Sequence, residues 1–281
     1  MTIEEIMDIP AEDLGKGSPI QTEFVPTVQD LFLDMALTMT EEIRKNNENK
    51  KKTAFICPVG PVGYLEIFAR LVNAEGLSLK NTYIFTMDEY LDDDMKKIPP
   101  EHPLSFTGHM YSHLYDLLKP ELTVPENNRF FPTPGEEGTI LRVIERIGGV
   151  DTALGGIGIN GHIAFNEPPS PNESITDDAF KNLSTRIVKL TPETRTINST
   201  TNTRGAIDLI PKYGVTIGMK EILGAKKIRF YLNREWQSGV VRKILHGPVT
   251  RFTPASFFQE HADAKLTMCR FVAELPGGRL R

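Results

Sequence analysis

"VDTALGGIGINGHIAFNEP", residues 150–168, joins an apolar run to a loop that combines glycines with polar side chains. The apolar part, which ends in "ALGG", is typical of a buried strand. Gly156, Gly158 and Gly161 then permit backbone conformations and close ligand contacts that other residues do not. The stretch therefore predicts a strand whose carboxyl end carries a glycine-rich functional loop.

The rest of the chain repeats a pattern of short apolar strands and amphipathic helices. The predicted strands lie within residues 53–60, 81–90, 150–159, 184–190, 213–219, 226–232 and 264–271. The predicted helices lie within residues 28–46, 64–76, 105–118, 139–149 and 238–247. Such alternation favours an α/β fold with a mostly parallel central sheet that helices cover on both faces.

Three loops are candidates for the functional site. In sheets of this kind, ligands bind outside the carboxyl ends of the strands, near the point where the strand order reverses. This rule selects residues 58–63, 87–91 and 156–170, which all have an unusual composition. We expect the polar residues 1–25 to form a surface arm and residues 26–281 to form a single domain.

Composition argues against several classes of protein. The 281 residues are 40% hydrophobic and 25% charged, with a net charge of −5. There is no basic stripe for nucleic acid, no apolar run of the roughly 18–20 residues that span a bilayer, and no signal-peptide layout in the acidic N-terminus. Cys57 and Cys269 lie in apolar runs and are predicted to be buried free thiols. We therefore expect a cytoplasmic protein without nucleic-acid or membrane partners.

His162 is the residue of the glycine-rich loop best suited to acid–base chemistry, because histidine exchanges a proton near neutral pH. Asn160 and Glu167 are close enough in sequence to orient its ring from either side. The spacing fits a catalytic histidine. It also fits a loop histidine whose hydrogen bonds are purely structural.

Asp88 and Glu89 follow a hydrophobic run, again at the carboxyl end of a predicted strand. A carboxylate in this position can have its pKa raised by burial and act as a base. The alternative is a helix N-cap, which is a common role for acidic residues at a strand-to-helix junction.

The loop over residues 58–63 has the strand–turn–helix layout of a phosphate cradle. Its composition suits that role poorly, since Pro58 and Pro61 have no N–H group and Val59 and Val62 have no hydroxyl. A tight turn explains the loop at least as well.

Two further features carry weaker signals. His109 and His113 are four residues apart on a predicted helix, a spacing that can bind metal, but no third ligand is evident and no metal is predicted. Trp236 follows a predicted strand, which places it near the same edge of the sheet.

Four motifs resemble the glucosamine-6-phosphate deaminases, also called isomerases. They are "TMDEY" at 86–90, "GIGINGHIAFNEP" at 156–168, "TRIVKLTPETRTINS" at 185–199 and "IPKYGVTIGMKEILGAKKI" at 210–228. Their order and spacing agree with the family from about residue 30 to residue 271. The resemblance implies a Rossmann-like three-layer fold and a cofactor-free aldose–ketose isomerisation that expels ammonia from an amino sugar.

The resemblance also implies roles for the motif residues. Asp88 would be the base that moves a proton between C2 and C1 of the sugar. His162 would help to open the sugar ring, held by Glu167 on one side and Asn160 on the other. Members of the family carry either Asp or Asn at the position of Asn160.

The departures from the family lie at its phosphate-binding positions. The residues assigned to substrate binding are Gly60, Pro61, Val62, Glu89, Gly161, Thr200 and Trp236. The family's loop T-G-G/S-T/S-P is replaced by "VGPVG" at 59–63, its arginine by Thr200 and its lysine by Trp236. We therefore expect an altered substrate preference, unless Arg234 or Arg242 binds the phosphate from another direction.

Two other interpretations are compatible with the resemblance. One is a non-catalytic sugar-binding or regulatory homologue, and the other is a hydrolase like the 6-phosphogluconolactonases, which share the fold and a similar G-H loop. In each case the expected partner is a small-molecule sugar or sugar phosphate, and a homo-oligomer is compatible with the sequence.

Overall fold

The computed structural model describes residues 1–277. Its strands are β1 Gln21–Val25, β2 Thr53–Cys57, β3 Thr82–Thr86, β4 Asp88–Leu91, β5 Arg129–Phe130, β6 Thr152–Gly155, β7 Arg186–Lys189, β8 Tyr213–Thr216, β9 Lys227–Leu232 and β10 Ala264–Cys269. Its α-helices are α1 Ile3–Met7, α2 Val28–Glu48, α3 Tyr64–Glu75, α4 Phe106–His113, α5 Gly138–Ile147, α6 Asp177–Lys181, α7 Pro192–Asn202, α8 Met219–Leu223 and α9 Gln237–His246.

Seven strands form the central sheet in the order β1-β10-β9-β6-β2-β3-β5, and every neighbouring pair is parallel. This confirms the predicted α/β fold with a mostly parallel central sheet. The strand order reverses between β2 and β6, because the chain proceeds from β2 to β3 and β5 on one side and from β6 to β9 and β10 on the other. The crevice at the carboxyl ends of β2 and β6 is therefore the expected ligand site.

The helices begin and end at the signals in the sequence. Thr27 and Asp30 form a capping box that starts α2, each side chain accepting a hydrogen bond from the other's backbone N–H. Gly76 ends α3 in the left-handed conformation, with φ of 65°. β2 is buried along its whole length, as expected for an inner strand of a covered sheet.

The prediction of one strand over residues 81–90 is wrong, because β3 and β4 belong to different sheets. β4 pairs with β8, and β8 with β7, in a separate antiparallel sheet. Met87 joins the two sheets: its N–H donates to the carbonyl of Cys57 (2.9 Å), and its carbonyl accepts from the N–H of Ile217 (2.7 Å). The strands predicted from "STRIVKL" and "YGVTIGM" consequently lie outside the parallel sheet.

The N-terminal segment is more than the predicted surface arm. Residues Gln21–Val25 extend the central sheet by pairing in parallel with Lys265–Cys269. The segment before β1 is also bound to the domain, because the carbonyl of Ile9 accepts a hydrogen bond from Nε of the buried Arg242 (3.0 Å). The division of the chain into an arm over 1–25 and a domain over 26–281 stays a prediction.

The main core lies on the central sheet, and a smaller apolar cluster lies on the antiparallel one. Cys57 and Cys269 are buried and free, which confirms the predicted thiols. Among residues 1–277, no helix is both long and apolar enough to cross a bilayer.

Candidate active site

A cavity of about 290 Å³ opens at the carboxyl ends of β2 and β6. All three predicted loops contribute to its wall. The lining residues include 58–62, three residues between Met87 and Tyr90, and six residues between Gly156 and Phe165. The topology of the sheet thus brings together segments that are about a hundred residues apart in sequence.

Asp88 is the first residue of β4 and lines this cavity, although only 7% of its surface is exposed. Burial, reinforced by the charge of Glu89, raises the pKa of Asp88 to about 8. The cause is the poor solvation of a carboxylate in a site with little water. Such a carboxylate is a stronger base than an ordinary aspartate and is suited to removing a proton from carbon.

His162 also lines the cavity and is 8% exposed. Its Nδ1 lies 2.8 Å from Oδ1 of Asn160, 3.1 Å from Oγ1 of Thr194 and 3.3 Å from Oε2 of Glu167. The ring is therefore oriented by the two partners expected from the sequence and by Thr194, which belongs to the distant helix α7.

The hydrogen bonds fix the tautomer of His162. Oδ1 of Asn160 accepts from the backbone N–H of His162 (3.1 Å), and Nδ2 of Asn160 donates to Oε2 of Glu167 (2.8 Å). Since Oδ1 can only accept, Nδ1 of His162 carries the proton that lies between them. Nε2 is then the free acceptor of the neutral ring.

Glu167 provides the negative charge behind this histidine. Burial opposes its ionisation, but the charge and hydrogen bond of His162, together with hydrogen bonds from Asn160 and Thr194, lower the pKa of Glu167 to about 2. Thr191 adds a contact from its hydroxyl to Oε2 (3.3 Å). A carboxylate that stays ionised in this position stabilises His162 whenever the ring takes up a proton.

Two glycines of the loop allow this arrangement. A Cβ on Gly158 would lie 2.0–2.4 Å from three ring atoms of His162, so the imidazole can pack here only against a glycine. Gly161 has φ of 86°, and a Cβ there would approach Thr253. Gly161 is not among the residues that line the cavity, and its substrate contact stays a prediction.

Glu89 is likewise structural. It is fully buried, and its carboxylate accepts from the N–H groups of Phe106 (3.0 Å) and Thr107 (2.7 Å) and from the hydroxyl of Ser105 (3.0 Å). These groups form the start of α4. The alternative of a helix cap therefore applies to Glu89. Glu89 does not line the cavity, whereas the adjacent Asp88 does.

Comparison with known proteins gives the family. Glucosamine-6-phosphate deaminases from Exiguobacterium sibiricum and Bacillus velezensis are 33% and 32% identical to this chain over 190 and 206 residues. The aligned parts cover 67% and 72% of this chain and 68% and 78% of those proteins. This chain belongs to the glucosamine-6-phosphate deaminase family.

Solved structures agree with the fold of this family. A monomeric glucosamine-6-phosphate deaminase superimposes with a TM-score of 0.75 at 24% identity, over 90% of this chain and 99% of that one. A 6-phosphogluconolactonase from Plasmodium vivax has a TM-score of 0.65 at 15% identity, over 96% of both chains. No protein-family model matches the chain.

The loop after β2 carries mostly apolar side chains. Residues 58–62 line the cavity, with a cis peptide bond between Gly60 and Pro61. The carbonyl of Pro58 accepts from the hydroxyl of Tyr64 (2.6 Å), which fixes the loop against α3. The loop presents no side-chain hydroxyl to the cavity.

Thr200 and Trp236 stand at the two positions where the resemblance implied cations. Trp236 lines the cavity, at the predicted edge of the sheet. Thr200 is exposed and donates back to the carbonyl of Thr196 (3.1 Å), whereas its neighbours Thr201 and Asn202 line the wall. The substrate contact of Thr200 stays a prediction.

Of the two arginines considered as replacements, one is excluded by its contacts. The guanidinium of Arg242 is buried and donates to the carbonyls of Ile9, Ser238, Ala273 and Glu274. Arg234 lines the cavity and is, among the described residues, the one arginine or lysine that does so.

Other wall residues were not foreseen from the sequence. Tyr90 accepts a hydrogen bond from Nδ2 of Asn198 (2.9 Å), and both line the cavity. Ala164 lines it with φ of 53°, a left-handed conformation that is uncommon for alanine. His109 lines it from α4. Within residues 1–277, no three His, Cys, Asp or Glu side chains are placed to hold a metal ion.

Proposed function

We propose that this chain catalyses the cofactor-free isomerisation of an amino aldose to a ketose with loss of ammonia, and that its substrate is not held through a phosphate dianion. One observation carries the proposal: Asp88 and His162 share a cavity whose other wall is formed by residues 58–62 and Trp236. The proton-transfer groups that the resemblance implies are present, and Arg234 is the one arginine or lysine among the described residues that lines the cavity.

Asp88 is the base of this proposal. In the open-chain sugar, its carboxylate takes a proton from C2 and returns it to C1, while O1 gains a proton and the amino group loses one. This converts the 2-amino aldehyde into a 2-imine with a hydroxyl at C1. Addition of one water to C2 then releases ammonia and leaves the ketose. The pKa of about 8 supports the role, because a base is most effective when its pKa is close to the operating pH.

His162 opens the sugar ring. Its Nδ1–H is held by Asn160 and its Nε2 is free, so Nε2 takes the proton of the C1 hydroxyl and delivers it to the ring oxygen. The transient imidazolium is stabilised by Glu167, which lies 3.3 Å from Nδ1. This division of labour needs no metal ion and no organic cofactor.

The apolar wall supports a substrate without phosphate. A phosphate placed against Val59, Pro61 and Val62 would lose charge-assisted hydrogen bonds worth roughly 1.5–3 kcal/mol each. Trp236 offers an indole that can pack on the apolar face of a pyranose and exclude water. An amino sugar without phosphate, such as glucosamine, matches this wall.

The proposal is tested by following ammonia and ketose formation from a panel of free amino sugars. Stoichiometric ammonia and ketose from at least one of them supports a deaminating isomerase. Hydrolysis of a sugar lactone without ammonia release would indicate the chemistry of the 6-phosphogluconolactonases instead. Ligand-induced thermal stabilisation without any turnover would indicate a binding protein.

A further inference from the structure

His109 is a cavity residue to which the reaction gives no task. It lies in the middle of α4 and lines the same cavity as Asp88 and His162. Among residues 1–277, neither of its ring nitrogens has a hydrogen-bond partner. An imidazole that lines a cavity with both nitrogens unused has hydrogen-bonding capacity left for a ligand.

The ring of His109 is nevertheless held in place by its neighbour. It stacks on the ring of His113, with 3.8 Å between centroids and 12° between planes. His113 is itself anchored, since its Nδ1 lies 2.8 Å from Oγ of Ser112 and its Nε2 lies 3.9 Å from Oε1 of Glu66. The stack therefore orients His109 and leaves both of its nitrogens available.

The path of α4 locates His109 relative to the reaction. The first N–H groups of this helix donate hydrogen bonds to the carboxylate of Glu89, which is the residue next to Asp88. One turn beyond His109, His113 reaches Glu66 in the first turn of α3, the helix that follows the loop 58–63. His109 thus lies between the proposed base and the loop at which the far end of the substrate is expected.

The ring of His109 is uncharged at neutral pH. Burial and, secondarily, the neighbouring His113 lower the pKa of His109 to about 4. A neutral imidazole has one donor and one acceptor, which is the complement of a hydroxyl group. It is a poor partner for a phosphate dianion, which binds best to charged donors.

We infer that His109 is a specificity-determining residue that hydrogen-bonds the terminal hydroxyl of an amino sugar without phosphate. The inference rests on the proposed function and deepens it, because it names the group of the substrate that replaces the phosphate.

Binding of two unreactive ligands tests this pairing without requiring turnover. The ligands are glucosaminitol, an open-chain reduced form of glucosamine, and its 6-deoxy analogue, which lacks the terminal hydroxyl. In calorimetry at neutral pH, we expect loss of the hydroxyl to weaken binding to the wild-type protein about three- to tenfold. In His109→Phe, which keeps the aromatic stack, the two ligands should bind within about twofold of each other. His109→Gln should restore part of the difference.

His113→Phe is the matched control, because it keeps a ring beneath His109 and leaves the cavity wall intact. We expect this variant to discriminate between the two ligands as the wild type does. An equal penalty for the missing hydroxyl in the wild type and in His109→Phe would overturn the inference, as would failure of the wild type to bind either alditol. Ammonia assays on the same preparations separate the two proposals. If the wild type released no ammonia from amino sugars but still bound glucosaminitol more tightly than its 6-deoxy analogue, the result would count against the proposed reaction and not against the role of His109.

Discussion

Asp88 combines two properties that rarely coincide in a structural residue, burial and direct access to a cavity. Its neighbour Glu89 is buried as well, but the carboxylate of Glu89 accepts hydrogen bonds from the first N–H groups of α4. Two adjacent acidic residues thus have different tasks because alternate residues of β4 point in opposite directions. The sequence alone left a base and a helix cap open for this pair, and the resemblance implied a base at Asp88 and substrate binding by Glu89.

Asp88→Asn should abolish turnover while leaving binding intact. The amide has the shape of the carboxylate and cannot accept the carbon-bound proton, so we expect kcat to fall about 10²- to 10⁴-fold. Binding of glucosaminitol should change by less than about twofold, since the substitution adds no bulk. Asp94→Asn is the control, because Asp94 is an exposed residue of the following turn.

Asp92 would be a poorer control, since its Oδ1 accepts from the N–H groups of Asp94 and Lys96 and shapes the turn. An Asp88→Asn enzyme that retained half of the wild-type rate would show that another group is the base.

The raised pKa of Asp88 also predicts how stability depends on pH. The folded protein holds this proton more tightly than the unfolded chain, so the stability contribution is complete below about pH 4 and is lost as the pH rises toward about 8. Asp88→Asn avoids the buried charge. Its Tm should therefore exceed that of the wild type by an amount that grows over this range and then levels off, as measured by calorimetry. A constant difference between the two proteins at all pH values would contradict the assignment.

At the scale of elements, the loop after β6 depends on the absence of one side chain. Gly158→Ala places a methyl group within 2.0–2.4 Å of the His162 ring, so the imidazole must move away from Asn160 and Glu167. We expect kcat to fall at least about tenfold. The Tm should fall as well, because the displaced ring of His162 is buried. Gly277→Ala, where an added Cβ meets no atom within 4 Å, is the control. Full activity of Gly158→Ala would mean that the position of the ring is not critical.

The attachment of α4 is the second element on which the site depends. Glu89→Gln replaces a charged acceptor of four hydrogen bonds by an amide that can accept fewer. We expect the free energy of unfolding to fall by about 1–3 kcal/mol, and KM to rise because Phe106 and His109 of this helix line the cavity. The exposed Glu12→Gln should change the stability by less than about 0.5 kcal/mol. Equal Tm values for the two variants would argue against the capping role.

Helices and strands were predictable where the local pattern decides them. α2 and α3 carry cap residues and an apolar stripe, and β2 and β6 are short apolar runs followed by glycine-containing loops. The break at Met87 was not predictable, because its two hydrogen bonds go to residues 30 positions before it and 130 positions after it in the chain. Sheet membership of this kind is decided by tertiary contacts and not by periodicity.

For the whole molecule, the site was largely readable from its motifs, and the remaining errors have physical reasons. Asp88, His162, Asn160 and Glu167 are grouped as the sequence indicated. The direction of the Thr200 side chain could not be predicted, because a shift of one position on a helix turns a side chain by about 100°. Arg242 could not be recognised as structural, since the carbonyls that bind it come from three separate segments of the chain.

The central claim is that the proton-transfer groups act on a substrate that is not gripped through phosphate. It is tested most directly by comparing kcat/KM for glucosamine and for glucosamine 6-phosphate at low and high ionic strength. We predict that glucosamine is the better substrate and that its kcat/KM hardly changes with salt, because no ion pair holds it. Efficient turnover of glucosamine 6-phosphate that weakens as salt is added would contradict the claim, since it would mean that Arg234 or another cation binds the phosphate.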